Sequence, residues 1–127
     1  MHSLKFHLVH HIQEPQSTQK NHGDLFLDTG GEALPTYEMR EVDLQQLREL
    51  VPNGIDLVEL SDSPLESVQQ WSVTRKQNHK RKYIDYAGPI SGNRGRIITV
   101  LKGELNFPFR LDRLPEKLWF GVHPVDH

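Results

Sequence analysis

Apolar and polar residues alternate through Leu4-Lys5-Phe6-His7-Leu8, and the alternation breaks at the adjacent pair Leu8-Val9. A period of two sends successive side chains to opposite faces, so residues 4–10 read as a half-buried strand. Asp24 to Asp28 reads as a second strand, closed by Thr29-Gly30-Gly31, and Ala33 to Met39 as a third. Ile55 to Leu60 follows, then Val68 to Arg75, in which Trp71 and Val73 alternate with Gln70, Ser72 and Thr74. Gly95 to Leu101 is rich in β-branched residues, with Lys102-Gly103 as its turn. Leu105–Phe109 and Lys117–Val122 complete the series, and Pro108, lacking an N–H, confines its strand to an edge or a bulge. Only one segment changes period. Leu44, Leu47 and Leu50 recur every third residue behind Asp43, a capping aspartate, and Pro52-Asn53-Gly54 ends the run. This predicts a two-turn helix over Asp43–Leu50, covering an open side of a sheet. Gln13 to Asn21 is polar and contains Pro15, so it reads as a flexible loop. Roughly seven to nine short strands and one helix predict an all-β fold, a compact antiparallel barrel or sandwich.

The 127 residues suit a single domain, 1–127, burying roughly two thirds of its unfolded surface. A net charge of −2 argues against a nucleic-acid coat protein, so any nucleic-acid contact must come from a local basic patch. The absence of cysteine excludes disulfides, thiolate catalysis and thiolate-bound zinc, and fits a reducing cytoplasm. No stretch approaches the roughly 20 apolar residues of a membrane helix, and the first residues lack the apolar run of a signal peptide. The expectation is a soluble, cytoplasmic protein with no membrane partner. Eight histidines then direct attention to metals and phosphates.

His22 and Asp24 are two apart on a predicted strand and leave the same face. His11 ends the preceding strand. A hairpin across the 13–21 loop would set His11 opposite His22. Two imidazoles and a carboxylate can hold manganese, iron or zinc while leaving positions open for water and substrate. Alone, a His-x-Asp pair is common on surfaces, and His10 competes with His11 for the same role. His79 and Tyr83 are four apart, a spacing that shares a face on a helix or a strand. An imidazole beside a phenol can donate to a phosphate oxygen or protonate a leaving alkoxide. The same spacing also fits a solvated His79 and a core Tyr83. Lys76, Lys80, Arg81 and Lys82, with Arg75 just upstream, form either a solvated face or a salt-sensitive grip on a phosphate backbone. Gly88 to Gly95 lacks the strand–helix context of a phosphate-binding loop and reads as a tight connection. No spacing recommends His2, His7, His123 or His127.

In order along the chain, these pieces resemble the 3′-phosphoesterase module of bacterial DNA ligase D. Phe6 through His11 echoes that family's early Phe-x-x-x-x-His. His22-Gly23-Asp24-Leu25-Phe26-Leu27 echoes its His-x-Asp-x-Arg-Leu. His79-Lys80-Arg81-Lys82-Tyr83, running into Asp85-Tyr86-Ala87-Gly88-Pro89-Ile90, echoes its His-Pro-x-x-Tyr and the turn that follows. The resemblance spans residues 4 to 103 and implies a compact β-barrel. It further implies manganese-dependent trimming of DNA 3′ ends, removing a terminal ribonucleoside and then the 3′-phosphate left behind. By position, His11, His22 and Asp24 would be metal ligands, with zinc or iron as other occupants, and His79 and Tyr83 the phosphate-binding, catalytic pair. The implied partners are primer–template 3′ ends and a ligase or polymerase of end joining.

The chain also departs from that pattern. Phe26 stands where the family carries an arginine expected to clamp the phosphate, and a second basic position falls near Trp71. Arg75, Arg81 and Arg94 are the candidates to replace the lost charge. The loop between His11 and His22 is longer, and the helix at Asp43–Leu50 looks like an insertion. Three readings follow: a metal-dependent phosphoesterase, a non-catalytic module that binds metal and DNA ends, and an iron-dependent oxygenase of small molecules, which an apolar barrel interior would favour.

Overall fold

The computed structural model describes residues 2–126. Met1, which opens the first strand pattern, and His127 lie outside the described residues. Eight strands run in the order β1 (His2–Ile12), β2 (His22–Leu27), β3 (Ala33–Arg40), β4 (Ile55–Ser61), β5 (Gln69–Lys80), β6 (Gly88–Pro89), β7 (Arg96–Phe107) and β8 (Lys117–Pro124). One helix, α1 (Glu41–Leu50), joins β3 to β4 through a single 3-10 turn. The strands form one antiparallel sheet ordered β4-β8-β5-β3-β2-β1-β7-β6. β4 and β7 approach each other without pairing, so the sheet curls into a half-barrel.

The central strands are buried on both faces. Phe6, Leu8, Leu25, Leu27, Tyr37 and Met39 point to one face, where Phe107, Leu118 and Phe120 join them in the main core. Phe6 meets Phe120 edge to face at 6.1 Å. α1 inserts Leu44 and Leu47 into this core, as a helix covering the sheet should. Gly23 permits that approach, because a Cβ there would stand 3.1 Å from the Leu44 side chain. Val9, Phe26, Leu34, Tyr83, Ile84 and Ile97 form a second, smaller cluster on the other face. The Leu8-Val9 doublet that interrupts the alternation is where β1 becomes apolar on both sides. It also coincides with a register shift against β7.

Three local expectations are corrected. α1 begins at Glu41 behind Arg40, and Asp43 lies inside the first turn, accepting 3.1 Å hydrogen bonds from the Arg40 guanidinium. Lys102-Gly103 is not a turn. β7 runs straight through it, because Lys102 and Gly103 pair with His7 and Phe6, and the strand ends at Phe107 before Pro108. β5 continues beyond Arg75 to Lys80, because the basic run pairs with β3, Lys76 opposite Thr36 and His79 opposite Leu34.

Candidate functional site

β1 and β2 form the hairpin that the sequence suggests, and His11 is the direct cross-strand partner of His22. Their rings stand 4.9 Å apart. Asp24, two residues along the same face, is almost fully buried, and one ligand atom from each of the three residues lies within 4.8 Å of the others. Backbone carbonyls fix both imidazole tautomers. His11 Nε2–H donates to the Arg94 carbonyl at 2.8 Å, and His22 Nδ1–H donates to the Lys20 carbonyl at 2.9 Å. A carbonyl can only accept, so His11 Nδ1 and His22 Nε2 are left as the nitrogens facing Asp24. They stand 3.9 and 3.2 Å from Asp24 Oδ2.

Three acceptors converging in this way require positive charge at their centre. Two sources are present. Burial disfavours protonation of His22, but the hydrogen bond and charge of Asp24 outweigh it and raise the His22 pKa. Lys76 Nζ stands 2.7 Å from Asp24 Oδ1, 3.3 Å from His22 Nε2 and 2.9 Å from Glu38 Oε1. Burial alone would raise the Asp24 carboxyl, yet His22 and Lys76 bring it down to about 2. Burial likewise opposes the Lys76 charge, and Asp24 and Glu38 overcome it, so its pKa is raised. Lys76 is at ion-pair distance from Asp24 Oδ1 without hydrogen-bond alignment. That oxygen is accordingly the one buried side-chain polar atom among the described residues with no hydrogen bond. The donor set therefore fits a divalent metal: a carboxylate whose Oδ1 is met by an ion pair alone, and two imidazoles oriented by backbone carbonyls.

His11 and Asp24 open onto a cavity of about 260 Å³, which His79, Lys80, Lys82, Tyr83, Ser91 and Arg94 also line. Four of the five residues singled out for metal and phosphate chemistry thus line one cavity, although His79 lies one residue from the end of β5 and Tyr83 in the 3-10 turn Arg81–Ile84, while His22 lines a separate groove. Thr36 donates its hydroxyl hydrogen to the Leu34 carbonyl at 3.0 Å, so its oxygen accepts from His79 Nδ1–H at 3.1 Å. The basic nitrogen of His79 is then Nε2, and burial lowers the pKa of the ring. Tyr83 is held from behind: its carbonyl accepts from His7 Nδ1–H at 2.8 Å, and His7 Nε2 accepts from the Thr99 hydroxyl at 2.7 Å. Phe26 stacks on Tyr83 at 5.8 Å and tilts against His79 at 5.2 Å. At 1% exposure it supports both rings from within the second cluster and presents nothing to the cavity.

Of the three candidate arginines, only Arg94 reaches the cavity. Its Nε donates to the Ser91 carbonyl at 2.8 Å while its own carbonyl orients His11. Gly95 makes that loop possible: its φ is +86°, and a Cβ there would fall 2.0 Å from the Ile12 carbonyl oxygen. Arg75 lies over the Tyr37 ring and donates to the Lys76 carbonyl, beside a different groove. Arg81 is committed to Asp28 and the Gly31 carbonyl. His10 points the other way, toward α1, where it bonds Glu41 at 2.7 Å and accepts from Arg48 at 2.9 Å.

The sequence reading passed over His7, Thr36 and Glu38, and took Lys76 as one charge among several. For His7 a signal existed: it shares strand parity with Val9 and His11. Lys76, Thr36 and Glu38 become neighbours only through the β3–β5 register. Among the described residues no helix is long and apolar enough to cross a membrane. Compared with known proteins, the chain matches no family model, no curated protein and no solved structure.

Proposed function

We propose that this protein is a metal-dependent phosphoesterase acting on nucleic-acid 3′ ends, removing a terminal 3′-phosphate or 3′-ribonucleotide in DNA end repair. The observation that carries this reading is the convergence of His11, Asp24, His79 and Tyr83 on one small cavity, with His22 completing the ligand set behind it. A divalent ion, manganese by the resemblance and zinc or iron by the donor types, would supply Lewis-acid charge to a phosphate oxygen or to its attacking water.

The remaining work falls to side chains of the cavity. Lys80, Lys82 and Arg94 offset the charge of the phosphate. His79 Nε2, neutral near pH 7 because burial lowers its pKa, takes a proton from the incoming water, and the leaving oxygen, in line on the far side of the phosphorus, takes its proton from solvent. The Tyr83 hydroxyl donates to a phosphate oxygen. A volume of about 260 Å³ lies below the range of sites that enclose a whole drug-sized ligand, which suits an end group entering from a longer chain. The partners consistent with this role are primer–template ends and the ligase or polymerase that uses the resulting 3′-hydroxyl.

The test is cleavage of a labelled primer–template ending in a 3′-phosphate or one 3′-ribonucleotide, run with manganese and with chelator. Loss of the end group that needs manganese and disappears in His11→Ala and His79→Ala is the expected result. Absence of turnover with metal still bound would favour a second reading, a binding module for metal and DNA ends. One observation supports that reading: Phe26 is sealed in an apolar cluster, and neither Arg75 nor Arg81 replaces the missing arginine.

A further inference from the structure

We propose that the Lys76 ammonium is an exchangeable internal cation, occupying the acceptor cluster until a divalent metal displaces it toward Glu38 and the adjoining groove. The inference rests on reading His11, His22 and Asp24 as metal ligands. Lys76 Nζ sits 2.7 Å from Asp24 Oδ1 and 3.3 Å from His22 Nε2, so it uses acceptors that a metal would need. An ammonium and a dication cannot both hold that position: they compete for the same lone pairs and repel each other at contact distance.

The way out is also visible. Lys76, His22 and Glu38 line a second groove of about 890 Å³, which shares no lining residue with the 260 Å³ cavity. Glu38, half exposed at its rim, already holds the ammonium at 2.9 Å. On leaving Asp24 the lysine therefore keeps an ionic partner, and its flexible four-carbon stem allows the swing while β5 stays paired to β3. Without metal, the same lysine spares Asp24 from being a buried, uncompensated charge. Apparent metal affinity is then lowered by the fraction of molecules in which Lys76 occupies the cluster.

The experiment is calorimetric titration of the metal-free protein with manganese chloride, alongside thermal melting with and without the metal. The variants are Lys76→Met, Lys76→Gln, Lys20→Met and His11→Ala. The expected result is that Lys76→Met binds manganese about tenfold more tightly than wild type, or better. It should also melt lower than wild type without metal and gain more from its addition. Lys20→Met, which removes the same charge from the groove and keeps the backbone carbonyl that holds His22, should shift affinity much less. Lys76→Gln provides the same comparison should the methionine variant fail to fold. Equal or weaker binding by both Lys76 variants, with binding still lost in His11→Ala, would overturn the exchange alone. Binding unaffected by His11→Ala, or absent from every variant, would overturn the ligand assignment and the exchange with it.

Discussion

The two faces of β1 and β2 are built from alternate residues of the same strands and do opposite kinds of work. Leu8, Leu25 and Leu27 on one face fill a core that α1 closes, and any apolar side chains of similar volume would serve there. His7, His11, His22 and Asp24 on the other face are nearly as enclosed, yet their neighbours must be specific atoms: the carbonyls of Tyr83, Arg94 and Lys20, and the ammonium of Lys76. Burial is cheap on the first face. On the second it is bearable only because each polar group has a partner, and it is what shifts the pKa values of His11, His79 and His7 downward. A rigid apolar layer thus holds a polar layer in register, one residue out of phase.

Substitutions that separate the faces test this contrast. The largest effect should come from His79→Ala, which should slow release of a 3′-phosphate about 10²–10⁴-fold while the melting temperature barely moves. A matched fall in stability would show that His79 belongs to the packing instead. Leu25→Ala should do the reverse, costing about 2–5 kcal/mol in chemical denaturation while the folded fraction keeps its manganese affinity. Its neighbour Asp24→Asn should lose manganese affinity with the fold retained. Between these lies His7→Ala. It should cost about 1–3 kcal/mol, because the Tyr83 carbonyl loses a buried hydrogen bond and the Thr99 hydroxyl a part-buried one, and it should also slow turnover through Tyr83. Unchanged turnover at reduced stability would make His7 a packing residue only.

A smaller effect is expected from pH. The His7 pKa is lowered from 6.5, mainly by burial, so between its folded value and 6.5 the unfolded chain binds more protons than the folded one. Stability contributed by this group is therefore full at higher pH and declines as the pH falls below about 6.5. His11 and His79 act in the same direction, whereas the raised His22 opposes them, its contribution being lost as pH rises through its folded pKa. Denaturation of His7→Gln at about pH 8 and about pH 5.5 should show a shallower loss than wild type. Smallest of all should be Arg81→Ala. Its guanidinium lies on the surface against Asp28, so neither stability nor turnover should change appreciably, and a clear loss of turnover would return Arg81 to the site.

Much of this was legible in the sequence because strand parity is local. His22 and Asp24 had to share a face, and the polar 13–21 loop made the hairpin that set His11 against His22 a natural reading. The single helix was readable from three leucines, although its first turn was not. Arg40 precedes it in extended conformation, and Asp43 answers Arg40 instead of capping. Register between distant strands left no such mark. Nothing in the basic run distinguished Lys76, which enters the site, from Arg75, which turns to Tyr37, until pairing with β3 assigned each a face. Long strands concealed themselves as well: Lys102-Gly103 carries turn chemistry, yet lies mid-strand because β1 pairs with it on both sides of the glycine.

Phe26 has a consequence for how this site can change. An arginine placed there would have to thread past His79 and Tyr83 to reach the cavity. Its charge would be driven among His7, His79 and Tyr83, in a space now filled by a ring that is 1% exposed. The direct exchange is thus an uphill step, and it becomes passable only after a neighbour has first opened room or supplied a counter-charge. The position is closed to charge by its packing, so phosphate affinity is more readily gained at Arg94 and the loop around it than at residue 26.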